Sequence, residues 1–549
     1  MHRAATAALA AALAVFTWVL RYNDPGGSFA GLTDDHFFYV VRGWQILFGE
    51  LPVRDFVDHG APLYWYLAAG VQMVLGRGTW SELVFSVTML AACASLTFLL
   101  AARASGSLGF ALVAVGFQQL LDPRFYNYPK LLAYALAIPA LWAYADRPGP
   151  RRLALLALTT VIGVLLRHDH GVYIALAFAA MLLLMAERPW LDRVRDASLY
   201  GGLVLLLLAP YLAFIQAHQG IVAYFQAAYA WAARDRERAP LVWPPLTGNE
   251  DGNLVSWVFY LLVALPVIAL VVVVMSHDGF RSAWPHARRK IAVVAVLAIV
   301  LNFGFLRHPL EARIADPSVP HAILLAWLGA ALGRMLRARD SFRPGLRRAA
   351  PVLVAATVLL TAGPAFVVAA TYRERGYERA ENAQLHEGLS KALRRAAEIT
   401  ASTQKAWPLE AWTSPERPGT MRLAFYLRDC TAPSARVFMA PYLPQVLALS
   451  QRGFAGGNAD LRSGFFGTRE EQEVTLARLE RQNVPVAIIA TEDYEDFPDS
   501  FPLIADHFDE RYRVAGSREL DERHSVTLLV DREASPTGIY EPLDWPCFR

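Results

Sequence analysis

Lysine is almost absent from this chain. Only four occur, at positions 130, 290, 391 and 405, so nearly all of the 52 basic residues are arginine. The net charge of +3 is too small to argue for a nucleic-acid partner. Charge of either sign is scarce: 18% of residues are charged, where a soluble protein averages roughly 25%. There are three cysteines and no C-x-x-C pair. Neither H-E-x-x-H nor a Cys/His spacing supports a metal site. Gly453-Phe454-Ala455-Gly456-Gly457 reads as a loop and not as a phosphate cradle, because no G-x-G-x-x-G or G-K-[ST] follows a strand. No internal repeat is visible.

What is abundant is apolar sequence, 55% of 549 residues, gathered in repeated runs. This is the composition of a polytopic membrane protein. Spans are expected at 4–20, 83–102, 108–121, 131–145, 153–168, 171–186, 198–216, 254–275, 291–306, 320–336 and 350–370, about eleven in all. The first, after Met1-His2-Arg3, resembles a signal peptide but lacks an A-x-A-like cleavage site before Arg21-Tyr22-Asn23-Asp24-Pro25, and is read as a retained anchor. Arginines mark one set of connections: Arg103, Arg147 to Arg152, Arg188 to Arg195, Arg281 to Lys290 and Arg334 to Arg348. The positive-inside rule puts these loops and the N-terminus in the cytoplasm. The first loop at 21–82, the loops at 122–130, 167–170, 217–253 and 307–319, and everything beyond about 370 then face outward.

The chain divides into a membrane domain, 1–370, and an extracytoplasmic α/β domain, 371–549. In the second, charged residues become frequent and apolar runs short. Residues 373–398 read as a polar helix. Strand-like runs at 436–440, 484–490 and 525–530 alternate with helical patterns at 442–450, 469–482 and 501–511, the pattern of a small α/β domain. Within the first loop, residues 61–75 are aromatic and apolar but short for a span. Pro62 suits the first turn of a helix, and an interfacial helix fits the segment. Cys93 lies in an apolar span and reads as packing. Cys430 and Cys547 are able to pair if their domain lies in an oxidising compartment, and the sequence leaves that open.

Polar groups collect on the predicted outer face. The first loop carries Thr33-Asp34-Asp35-His36-Phe37-Phe38-Tyr39, then Arg42, then Asp58-His59-Gly60-Ala61-Pro62-Leu63-Tyr64-Trp65-Tyr66. Another outer loop carries Asp122-Pro123-Arg124-Phe125-Tyr126-Asn127-Tyr128-Pro129-Lys130. Arg167-His168-Asp169-His170 is squeezed between two apolar runs, and Arg307-His308 with Glu311 and Arg313 lies further on. Each cluster has a plain alternative: acids capping a helix, an ion pair of Asp169 with Arg167, histidines packed at the interface. Together, though, they supply carboxylates to take a proton, cations to neutralise a phosphate and aromatics to stack on sugars. That is the inventory for displacing a lipid phosphate from a sugar.

With these residues in view, the chain resembles the GT-C glycosyltransferase superfamily, in particular the bacterial branch related to protein O-mannosyltransferases and lipid A aminoarabinose transferases. Members carry an Asp-Asp or Asp-Glu pair in the first outer loop, as Asp34-Asp35 does, followed by a Pro-Leu-Tyr-Tyr-like helix, which Pro62-Leu63-Tyr64-Trp65-Tyr66 resembles. The resemblance is clearest at 30–80 and weak beyond 371. It implies an inner-membrane enzyme, with its N-terminus in the cytoplasm and its C-terminal domain periplasmic, that uses a polyprenyl-phosphate-linked sugar. The acceptor would be a lipid, a polysaccharide or a protein, and no nucleic acid is involved. By motif position Asp34 is the catalytic acid, with Asp35 beside it. Relatives often show Lys-Pro-Pro-Leu where this chain has Gly60-Ala61-Pro62-Leu63, so their phosphate-binding lysine is missing. His59, Arg124, Lys130 and Arg307 are the candidate replacements. Tyr39, Asp58, Asp122, Tyr126, His168 and Asp169 are candidates for substrate contact or support. Metal dependence varies within the superfamily, which leaves a divalent cation open.

The main alternative is a flippase or transporter of lipid-linked glycans without catalysis. It would explain the spans, but neither paired halves nor matching Gly/Pro-broken helices appear. A polysaccharide polymerase or ligase would place its large outer loop late among the spans, not after the first. A sensor or scaffold would depend on 371–549 and tolerate loss of Asp34. Acceptor choice is expected to involve 217–253 and the C-terminal domain, through Trp231, Trp243 or Trp407.

Overall fold

The computed structural model describes residues 2–24, 34–58, 60–238, 243–244, 250–275, 284, 286–303, 313–337, 352, 355, 376–404, 419–462, 464–522 and 524–549, with only the backbone at 2, 3, 34, 235, 236, 238, 250–254, 335–337 and 402. In chain order the helices begin with α1 (His2–Asn23), α2 (Asp34–Leu47), α3 (Pro62–Leu75), α4 (Thr79–Ser105) and α5 (Leu108–Leu120). They continue with α6 (Tyr128–Asp146), α7 (Pro150–Leu166), α8 (His168–Leu184), α9 (Trp190–His218) and α10 (Ile221–Arg238). Then come α11 (Glu250–Met275), α12 (Ala287–Asn302) and α13 (Ser318–Arg337). Each expected span from 4–20 to 320–336 coincides with one of these helices. The span at 350–370, like the last residues of 291–306, lies outside the described residues.

Among the described residues, four helices are long and apolar enough to cross a membrane: Ala4–Asn23, Thr79–Ser105, Trp190–His218 and Val255–Met275. At 1.5 Å per residue, 20 residues match a hydrocarbon core of about 30 Å. The protein is a multi-pass membrane protein. α9 leaves Leu205, Leu206 and Leu207 exposed, as a lipid-facing helix would.

Two compact units form, each discontinuous in sequence. One comprises Met1–Asp24, Ser86–Leu212 and Asp235–Ala396, the other Pro25–Phe85, Ala213–Arg234 and Ala397–Arg549. The first is helical. Small residues let its helices approach closely: Ala10, Ala94, Ala101, Ala111, Ala114, Ala322 and Ala326 share one buried cluster. α7 and α8 are antiparallel neighbours joined at Arg167. A Cβ on Gly171 would lie 2.1 Å from Val164 Cγ2, so no larger residue fits at that crossing. The polar helix expected over 373–398 is interrupted. Residues 376–382 are helical, a 3₁₀ turn follows at Leu385–Glu387, and α14 (Leu389–Gln404) starts afresh. Gln384 at φ +55° and Gly388 at φ +98° adopt left-handed backbone that ends a helix.

In the second unit, α2 and α3 pack closely, with the Cβ position of Gly43 2.9 Å from Ala68 Cβ. The helices α15 (Thr420–Cys430), α16 (Pro444–Ser450), α17 (Arg469–Leu479) and α18 (Pro502–Arg511) accompany a five-stranded sheet. Its strands are β1 (Arg436–Met439), β2 (Gly453–Phe454), β3 (Val486–Ala490), β4 (Tyr512–Asp521) and β5 (His524–Asp531), in the order β2-β1-β3-β5-β4. β1 runs parallel to β2 and β3, while β5 is antiparallel to β3 and β4. A small hairpin of β6 (Gly538–Tyr540) and β7 (Trp545–Cys547) closes the chain. The three strands and three helices expected from the sequence are present, with ends moved by a few residues. β4 was not expected. It is an edge strand reading YRVAGSRELD, mostly outside the core, so it has no apolar run to signal it.

The first loop is knitted to this sheet. Gln45 donates to Phe454 O (3.0 Å), Glu50 pairs with Arg436 (2.7 Å), and Val57 N donates to Gly457 O (3.0 Å). Cys430 and Cys547 are bonded across 117 residues, while Phe548 N donates to Cys430 O at 2.7 Å. Cys93 is a buried free thiol. Denatured, unreduced protein should therefore take one maleimide label, at Cys93, and three after reduction. Three labels without reductant would mean that the bridge does not form.

Candidate active site

α2 begins at Asp34, so both acids lie in its first turn, where unsatisfied N–H groups and the helix dipole favour negative charge. Asp35 is exposed, and its Oδ1 accepts the Tyr442 hydroxyl at 2.8 Å. Burial, then the Asp35 charge, pushes the Tyr442 phenol well above its ordinary value. His36 turns inward: its Nε2 is 3.0 Å from Glu82 Oε1, and both side chains are fully buried.

Two turns along α2, on the face of Asp35, Arg42 lies buried with its guanidinium 3.5 Å from the Phe38 ring centre and 5.0 Å from that of Trp65. Among the described residues nothing hydrogen-bonds its Nε or Nη1. Burial lowers its pKa to about 10, although the charges of Asp460 and Asp58 work the other way. Arg462 stands 4.7 Å from the Tyr442 ring centre and is held by Asp460 at 2.6 Å.

Asp58 is occupied by the fold. Its Oδ1 accepts Gly60 N (2.9 Å), Ala61 N (3.1 Å) and Trp65 Nε1 (3.2 Å), and its Oδ2 accepts the Tyr224 hydroxyl (3.1 Å). These bonds hold the turn into α3. Tyr39 is half-buried against Tyr64 and Trp65, with ring centres 4.4 and 5.2 Å away. Trp231 on α10 meets Phe465 at 5.9 Å. His59 and Trp407 lie outside the described residues.

The other candidates belong to the helical unit. Asp122 has φ +53°, a left-handed conformation that Asp tolerates better than most residues. It is clamped by Arg21 and Arg379, each at 2.7 Å, and Arg21 Nη2 also donates to Pro123 O at 2.8 Å. Burial disfavours its charge, but Arg21 and Arg379 outweigh this and hold its carboxyl well below the usual range. Arg124 donates to Tyr126 Oη at 3.0 Å. Lys130 meets Asp316 at 2.5 Å, and burial lowers its ammonium to about 8 against that partner. Arg167 and Asp169 form a two-bond pair at 2.7 and 2.5 Å. His170 Nδ1 is 2.7 Å from the Tyr134 hydroxyl, and His168 is half-buried at the start of α8. Arg307, His308 and Glu311 lie outside the described residues. No group of three or more His, Cys, Asp or Glu gathers as a metal site among the described residues.

With Asp34 at the start of α2, the second unit thus joins Asp35, Tyr39 and Asp58 to Arg42, Tyr442, Asp460 and Arg462. The last three were not singled out from sequence. Tyr442 is 407 positions from Asp35, and no local pattern connects them. Arg42 carried a signal, a basic residue seven positions after Asp35 on one helix face.

No protein-family model matches the chain, and no curated protein matches it either. Solved structures do. ArnT from Cupriavidus metallidurans bound to undecaprenyl phosphate superposes with a TM-score of 0.52 at 13% identity, over 95% of this chain and 97% of that one. The chain has the ArnT fold. That fold is the one the residues around Asp34 and Pro62 led us to expect. The same ArnT in its apo state gives 0.46 at 13% identity, over 96% and 98%.

The Asp122 clamp makes a prediction for this ArnT-like fold. Asp122→Asn should cost about 2 kcal/mol, a figure reduced for partial exposure. A carboxyl whose native pKa is depressed contributes stability above its unfolded value of about 3.9 and loses it as pH falls below that. Melting curves in detergent should separate wild type from the variant at pH 7, and the gap should begin to close only as pH falls below about 4 and toward the depressed native value. Equal stability at pH 7 would remove the clamp.

Proposed function

We propose that the protein is a GT-C glycosyltransferase that moves a sugar from a polyprenyl-phosphate donor to an acceptor on the outer face of the bacterial cytoplasmic membrane. The observation that carries this reading is the ArnT fold, shared over 95% of the chain, with an acid pair opening the helix that follows the first span. The related ArnT structure contains undecaprenyl phosphate, and the donor's carrier here is taken to be a lipid of that class. The Cys430–Cys547 bond supports an outward-facing C-terminal domain, because such bonds persist in oxidising compartments.

In this reading Asp34 accepts the proton of an acceptor hydroxyl. The acceptor oxygen forms a bond to the anomeric carbon as the bond from that carbon to the phosphate oxygen breaks. The polyprenyl phosphate leaves with the electron pair, and the anomeric centre inverts. Cations neutralise the departing phosphate. Arg42 joins Arg124 and Lys130 as a candidate for that role, and it is the one whose Nε and Nη1 are unengaged among the described residues. Tyr39 with Tyr64 and Trp65 offers an aromatic surface for a sugar ring. The exposed Met73, Val74 and Leu75 at the end of α3 suit an interfacial helix beside the lipid tail.

Turnover of radiolabelled polyprenyl-phosphate sugars, in membranes supplied with acceptor extract, tests the proposal. Wild type should transfer the label, and Asp34→Asn, folded and equally expressed, should be slower by about 10²–10⁴-fold. Equal rates would move the base elsewhere, and absence of turnover with every donor would favour a flippase. Arg42→Lys keeps the charge but loses the planar fork, and should raise the donor KM about tenfold with a smaller change in kcat. An unchanged KM would remove Arg42 from the phosphate site.

A further inference from the structure

A phenol, a guanidinium and an indole follow one another in the second unit, beginning at Asp35. Resting on the transferase reading above, we infer that the acceptor is a glycan chain. Its end sugar meets the acid pair, and its next units lie along Tyr442, Arg462 and Trp231.

The sheet topology gathers these residues. β1 runs parallel to β2 on one side and to β3 on the other. The chain leaving β1 turns to β2, while the chain leaving β3 turns the other way, toward β4. Where neighbouring connections part in this manner, open α/β sheets bind ligands outside the carboxyl ends of their strands. Tyr442 lies just beyond the carboxyl end of β1. The loop after β2 comes back to that end, where Leu461 N donates to Ala440 O at 3.0 Å, and it carries Arg462 and Phe465.

From Asp35 the contacts run without a break. Asp35 accepts the Tyr442 hydroxyl at 2.8 Å, and the Tyr442 ring lies 5.8 Å from that of Phe38. The Arg462 guanidinium is 4.7 Å from the Tyr442 ring centre and 5.9 Å from that of Phe465. Phe465 meets Trp231 at 5.9 Å. Phe465 is buried and supports its neighbours, whereas Tyr442 and Trp231 are half-buried and Arg462 is exposed. Trp231 is fixed before any ligand arrives. On either side of it in α10, the Tyr224 hydroxyl donates to Asp58 at 3.1 Å and Arg234 pairs with Glu471 at 3.1 Å.

The chemistry of the series selects a saccharide. A sugar ring offers a C–H face that packs on an aromatic ring and hydroxyls that bond to planar polar groups. Arg462 Nε is held by Asp460 Oδ2 at 2.6 Å, and among the described residues its guanidinium makes no other hydrogen bond. An acyl chain would gain nothing from this ion pair and would have to desolvate it. An extended peptide adds to a sheet edge, and the edge at β2 is closed. Gln45 accepts from Phe454 N at 3.3 Å and donates to Phe454 O at 3.0 Å.

The test uses full-length protein in membranes and acceptor extract treated beforehand. Protease digestion of the extract should leave transfer intact, and periodate, which cleaves the vicinal diols of sugars, should abolish it. Trp231→Ala and Arg462→Gln should each raise the KM for the extract about fivefold, with the donor KM held within about twofold. Trp231→Phe keeps a ring and should recover most of the loss. Transfer that survives periodate, or is lost on proteolysis, overturns the inference, and so does an unchanged acceptor KM in both variants. Labelled product that extracts into chloroform–methanol supports a lipid-borne glycan, and product that stays in water supports a polysaccharide. A second measurement stands apart from turnover. Radiolabelled glycans released from the extract by mild acid should bind purified wild type about fivefold more tightly than Trp231→Ala. Binding without transfer from any donor sinks the transferase reading but supports the glycan site, whereas transfer without binding overturns the site and spares the transferase.

Discussion

A charged side chain among apolar helices is stable only with its counter-charge held against it, and this requirement organises the helical unit. Asp146 at the end of α6 receives Lys290 at 2.5 Å and Arg103 at 3.3 Å. Asp196 on α9 receives Arg188 at 2.5 Å and also binds the Tyr144 hydroxyl. At the end of α1, Arg21, Asp24, Asp122 and Arg379 form a chain of ion pairs. Lys130 with Asp316 and Arg167 with Asp169 are two further pairs. Arginine carries most of this work because its planar fork engages carboxylates through two bonds at once, as Arg167 does.

The other unit treats its central cation differently. Arg42 is surrounded by ring faces, which attract a guanidinium through their quadrupole and leave its N–H groups for a further partner. Rings and cations continue from Trp65 through Arg42 and Phe38 to Tyr442, Arg462 and Phe465. Asp35 meets this series at Tyr442. The acid pair, the short loop helices and the C-terminal sheet therefore make one structural unit, in which residues from three distant stretches of chain share a small space.

Much of this was legible beforehand, for identifiable reasons. Long apolar runs located the spans because the hydrocarbon thickness sets their length. Pro62 and the aromatic run after it marked α3, and the short β-rich run at 484–490 marked a central strand, which the structure buries throughout Val486–Ala490. The edge strand Tyr512–Asp521 was missed because only part of it is buried, and the break in 373–398 because Gln384 gives little warning of a positive φ. Among the site residues, Asp34 and Asp35 were visible as adjacent acids after a span. The engagement of Asp58 by three N–H groups and a phenol was not, since an isolated aspartate in a loop reads alike whether it binds substrate or holds a turn.

Sequence by itself determined the class of molecule and the position of its acids. Hydropathy, arginine placement and first-turn carboxylates act over a few residues, and their physics is local. Tertiary structure alone decided what those acids meet. The Tyr442 hydroxyl at Asp35 and the two-arginine clamp on Asp122 each join residues far apart in sequence. Such contacts depend on how a folded chain closes its loops, which no local pattern records.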